Sequence, residues 1–147
     1  MKKTLSLIIF ILVAGCGYKP IYKSINEITY NSIIYIGDKK IIRQISSSLG
    51  FIEDKNNNNL QKITLETKKN IVVTSKNSKG QNQSYRMVVF LNLVIEDNEI
   101  INQKKTFVKD FAYNTKDNKF ELSEYEKQIE NNLIKEIVEE INIYLNT

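Results

Sequence analysis

The chain has 147 residues, one Cys, and neither His nor Trp, which suits one ordinary domain and removes imidazole catalysis, imidazole metal ligation and any internal disulfide. Its 21 Lys and Arg against 17 Asp and Glu give a formal charge of +4. Two of those lysines fall in a leader, and the remaining excess of about +2 is no footprint for nucleic acid.

The amino terminus carries the clearest signal. Met1-Lys2-Lys3 is a positive start, and Thr4 to Ala14 is an apolar run too short for a membrane span, which takes ~20 residues, but of the length of an export leader. Val13-Ala14-Gly15-Cys16 follows, an aliphatic-small-small-Cys pattern that resembles the bacterial lipobox. That resemblance implies a diacylglyceryl group on the Cys16 thiol, removal of residues 1–15, and acylation of the new amino terminus. It also accounts for a lone Cys in an exported chain. Two or three acyl chains anchor a protein stably where one is marginal. Gly17, where inner-membrane lipoproteins often carry Asp, favours the outer membrane.

Residues 16–31 read as an acylated Cys and tether, with the only proline at Pro20, and residues 32–147 as one domain. Ser32 to Ile36 is a β-branched and aromatic run, the first predicted strand. A helix follows, capped by Asp38, striped by Ile41, Ile42, Ile45 and Leu49, and closed by Gly50. Phe51 and Ile52 return the chain to the core, and Asn56 to Asn59 form a polar loop. In Gln61 to Ser75, Ile63, Leu65, Ile71 and Val73 share one parity. Ser84 to Glu96 alternates strictly, with Tyr85, Met87, Val89, Leu91, Leu93 and Ile95 on one face. A turn over 96–99 leads to a strand over Lys104 to Tyr113. The last element is a helix with a Ser123–Glu126 capping box and an apolar stripe from Tyr125 to Leu145. The expected fold is α+β in the order β-α-β-β-β-α, a four-stranded mostly antiparallel sheet with two helices on one face.

Cys16-Gly17-Tyr18 opening such a domain, Pro20-Ile21-Tyr22 behind it, and Gly80-Gln81 followed by Tyr85-Arg86-Met87 together resemble the LPS-assembly lipoprotein LptE family, in particular its alphaproteobacterial members. The resemblance implies a non-enzymatic outer-membrane lipoprotein, facing the periplasm or held in the lumen of an LptD β-barrel as plug and assembly partner, that binds lipopolysaccharide (LPS). It implies no cofactor and no nucleic acid. The chain departs from better-known members in having Lys79, not Arg, just before the turn glycine. Another envelope lipoprotein, such as an accessory binding subunit of a lipid transporter, is the alternative.

Between Thr67 and Ile95 stand Lys68, Lys69, Lys76, Lys79 and Arg86 with no acidic residue. This is either a solvated strand pair or a cationic hairpin tip. Lys76, Lys79 and Arg86 are the candidate LPS-binding residues. The carboxylates of the last helix (Glu121, Glu124, Glu126, Glu130, Glu136, Glu139 and Glu140) mostly avoid the apolar stripe and are expected on a solvated face. No G-x-S-x-G motif and no paired-carboxylate site is present, so neither a catalytic nor a metal residue is assigned.

Overall fold

The computed structural model describes residues 27–56 and 61–146. The expected leader, Cys16 and most of the tether lie outside them, as do three residues of the polar loop. In chain order the elements are β1 (Ile28–Tyr30), β2 (Ser32–Gly37), α1 (Lys39–Leu49), β3 (Phe51–Glu53), β4 (Lys62–Lys76), β5 (Asn82–Asp97), β6 (Ile100–Asn114) and α2 (Lys119–Leu145). The main sheet has the order β2-β4-β5-β6. β2 runs parallel to β4, and β4, β5 and β6 form an antiparallel meander. The expected α+β architecture is therefore present.

Period two decides which face is covered. Ile63 and Leu65 of β4, five consecutive odd positions of β5 (Met87 to Ile95), and Phe107 and Tyr113 of β6 are all buried. They meet Ile41, Ile45 and Leu49 of α1 and Ile129, Leu133, Ile134, Ile137 and Ile141 of α2. Each such side chain contributes roughly 1.5–3 kcal/mol on removal from water. α1 is bounded as its sequence requires: the Asp38 carboxylate accepts from the Lys40 and Ile41 N–H groups, and Gly50 closes it in the left-handed conformation at φ 66°.

Three local readings are corrected, and one shared parity hides a difference in burial. The tether ends earlier than residue 31, because Ile28–Tyr30 is a strand paired in parallel with Phe51–Glu53. Tyr30 is buried there, its ring edge-on to Phe51 at 5.2 Å, and burial pushes its hydroxyl pKa up to about 12. Three-residue strands carry too little pattern to register as period two. Next, α2 begins at Lys119, capped by the Asn118 side chain, which accepts from the Phe120 N–H. Ser123 is already inside the helix, and Glu126 accepts from the Tyr113 hydroxyl at 2.7 Å instead of closing a capping box.

Ile71 and Val73 share the parity of Ile63 and Leu65 yet remain 42% and 43% exposed. The cause is where α1 starts. The Thr67 hydroxyl donates to the Asp38 carbonyl, so α1 starts level with Thr67 and runs back from the far half of β4. Finally, the α2 carboxylates are not all solvated. Glu130 is buried, and its two oxygens accept from Lys40 of α1, at 2.7 Å, and Lys69 of β4.

Candidate functional site

β4 and β5 are 15 and 16 residues long, so at ~3.3 Å per residue each extends about 50 Å and carries its hairpin tip well beyond α1. Asn77 builds that tip. Its N–H donates to the Gln81 carbonyl at 2.9 Å and its carbonyl accepts from the Gly80 N–H at 2.9 Å. Its side-chain oxygen accepts from the N–H groups of Lys79 and Gln81 at 3.0 and 2.9 Å, as a turn asparagine does. Gly80 supplies the required φ of 78°. Asn77 was legible only as one polar residue of a turn; its role in fixing the tip was missed.

The five basic residues separate into three places. Lys76 forms the last strand pair, with Asn82, and Lys79 lies in the turn. Both are exposed, and neither enters an ion pair among the described residues. Arg86 is four positions further along β5 than Asn82, ~13 Å away, on the face opposite the helices. Its Nε lies 3.6 Å from the Asp110 carboxylate of β6. Lys68 shares that open face, whereas Lys69 turns under the helices to Glu130. Lys76 and Lys79 are thus brought together, and Arg86 is not brought to them.

Polar and aromatic groups flank the tip. Thr74 and Ser75 hydroxyls lie 2.6 and 2.7 Å from that of Ser84. Ser75, Gln83, Asn114 and Thr115 line an open recess of about 330 Å³. Below it, Tyr85 stacks on Tyr113 at 5.6 Å and Tyr125 meets Tyr113 edge-on at 6.0 Å. The Lys116 ammonium sits 5.1 Å over the Tyr125 ring. Burial, and then the bond to Glu126, push the Tyr113 hydroxyl pKa well above its usual value. That hydroxyl therefore stays a neutral donor throughout the ordinary pH range. Two free ammonium groups and a hydroxyl and amide recess make a polar end to the molecule, and the uncovered Ile71 and Val73 follow further down β4, flanking the Val72 that pairs with Arg86. The tip can meet phosphate and sugar hydroxyls, and the strand below it hydrocarbon. No group of three or more Asp, Glu or Cys able to hold a metal ion occurs among the described residues.

No family model and no curated protein matches the sequence. The fold, however, is shared with solved bacterial lipoproteins. A minor lipoprotein from Acinetobacter baumannii superposes with a TM-score of 0.55 at 14% identity, over 76% of this chain and 87% of that one. Lipoprotein B from Nitrosomonas europaea does so with a TM-score of 0.53 at 10% identity, over 77% and 83%. At such identities the likeness establishes the fold.

Proposed function

We propose that this chain is an outer-membrane lipoprotein, acylated at Cys16, that serves LPS assembly as plug and partner of an LptD-like β-barrel and binds LPS at its hairpin tip. It acts by binding and not by catalysis. The observation that carries this reading is the pairing of unneutralised Lys76 and Lys79 at an extended tip, beside hydroxyl groups and above the uncovered Ile71 and Val73 further down the strand. Supporting it are the Val-Ala-Gly-Cys run and a fold shared with bacterial lipoproteins. A plug suits the polar lumen of such a barrel because its contacts are spread over a surface and need no cleft.

Affinity capture of the full chain from outer membranes is expected to bring down a large β-barrel, and the intact mass of the captured chain to show acyl groups on a product beginning at Cys16. Capture without a barrel would favour the lipid-transporter subunit, and an unacylated product would end the lipoprotein reading. The tip is tested separately. An exposed ammonium–phosphate contact is worth only ~0.2–1 kcal/mol and is screened by salt. Lys76→Glu with Lys79→Glu is therefore expected to weaken LPS binding about tenfold at low salt. Arg86→Glu, away from the tip and already facing Asp110, is expected to change it little. Equal binding by the double variant and wild type would leave these lysines as solvated charges only.

A further inference from the structure

β2 and β6 are the outer strands of the main sheet, and their edges are defended differently. β6 carries Lys104, Lys105 and Lys109, the kind of charge by which edge strands resist unwanted pairing. β2 reads Ser-Ile-Ile-Tyr-Ile-Gly, with no charge and no proline, and Ile34, Tyr35 and Ile36 are 37%, 47% and 47% exposed. The Ile33 N–H turns to the Glu53 carboxylate at 3.2 Å, on the side away from β4. By strand alternation the Tyr35 N–H and C=O lie along the same outer edge, and no strand lies beyond it among the described residues. On the open face Ile34 and Ile36 stand beside Thr64 and Glu66 of β4, with Val94 and Asn92 of β5 one strand further in.

We propose that the outer edge of β2 is a docking site for one extended segment of a partner polypeptide, added as a fifth strand. Size selects this occupant. A six-residue edge buries far less than the ~1,200 Å² at the low end of stable association between two globular protomers, so a second copy gains too little here. A single strand, held by main-chain hydrogen bonds within a larger contact, fits. Charge orients it: Glu53, whose oxygens already face the Ile33 N–H and, at 3.7 Å, the exposed Lys55, stands at the Ile33 end, and the exposed Lys39 at the Gly37 end. The matching segment carries β-branched apolar side chains at alternate positions to meet Ile34 and Ile36. It has a basic residue near Glu53 and an acidic one near Lys39. Any partner with such a segment qualifies, a barrel or another envelope protein.

The probe is the peptide acetyl-Glu-Thr-Ile-Thr-Ile-Thr-Lys-amide, added to the full chain in detergent micelles, with amide hydrogen exchange as the readout. Exchange at Tyr35 is expected to slow about tenfold with excess peptide, while the β6 amides stay unchanged. Ile36→Lys, a change at a half-exposed side chain that preserves the fold by circular dichroism, should abolish the slowing. Tyr35→Pro, which removes the outward donor, should do the same. Three results would overturn the proposal: no slowing at Tyr35, equal slowing along β6, or a Tyr35 amide already protected without peptide, which would mean the chain covers its own edge. A dimer that Ile36→Lys dissociates in sedimentation would overturn it in favour of a second copy.

Discussion

Replacing Lys40 and Lys69 together by Met is expected to destabilise the fold by about 3–5 kcal/mol, because it strands a charged Glu130 in the interior. The Glu130 side chain is only 4% exposed, whereas Lys69 is 31% and Lys40 67% exposed. The asymmetry sets the pattern of effects. Lys40→Met alone removes a contact largely screened by water and should cost no more than ~1 kcal/mol. Glu130→Met releases two lysines that can reach solvent, and a buried ion pair replaced by an apolar side chain of similar volume is often close to neutral. Denaturant midpoints of the three variants check this order. If Glu130→Met proved the most damaging, the carboxylate would be a net source of stability and not a cost met by its partners.

The same cluster predicts a pH dependence. Burial alone would raise the Glu130 pKa, but hydrogen bonds and charge from Lys40 and Lys69 outweigh it and hold the carboxyl below its usual value. A depressed folded-state value means that this contribution is present above the ordinary carboxylate range and is lost as pH falls through the folded value. Without both lysines the sign reverses, and the variant should gain relative stability on acidification.

Gly37→Ala is expected to cost about 3 kcal/mol or more, lowering the melting temperature by roughly 10–15 °C. Gly37 has φ 99°, and a Cβ there would lie 2.0 Å from the Thr67 carbonyl oxygen. Backbone cannot yield as a flexible side-chain end can. The approach sits where β2 hands over to α1 and where Thr67 also bonds the Asp38 carbonyl, so relief in one place strains the other. Gly80 is the control. It too has positive φ, at 78°, but nothing lies within 4 Å of its would-be Cβ, and Gly80→Ala should cost only the ~1 kcal/mol of the left-handed conformation. Equal thermal shifts for the two variants would refute the steric account.

The long elements were legible because their burial is periodic over many residues. Met87 to Ile95 needs nothing but alternation to be placed, and Ile129 to Ile141 nothing but a helical stripe. What sequence could not supply depends on neighbours distant in the chain. Ile71 has the right parity but is exposed because α1 begins level with Thr67. Glu130 lies on a glutamate-rich helix, and only the arrival of Lys40 and Lys69 from two other elements makes its position buried. The candidate site divides likewise. Lys76 and Lys79 were readable as a turn pair with Arg86 further along the next strand, but the Asp110 carboxylate that faces Arg86 was not, and Cys16 rests on its local motif alone.

The parallel pairing of β2 with β4 has a consequence for the order of assembly. β4, β5 and β6 are joined by short turns, so their pairing closes small loops. Ser32, by contrast, must find Lys62 across thirty positions, and loop closure grows more costly with length. Loop length thus favours the meander as the nucleus, with β2 joining it last. During synthesis, however, β2 emerges first. The most apolar, uncharged strand of the sheet waits without its partner until some thirty further residues have been made. The hazard is greatest for the nascent chain, and a chaperone that shields extended apolar segments would have its natural substrate at Ser32–Gly37.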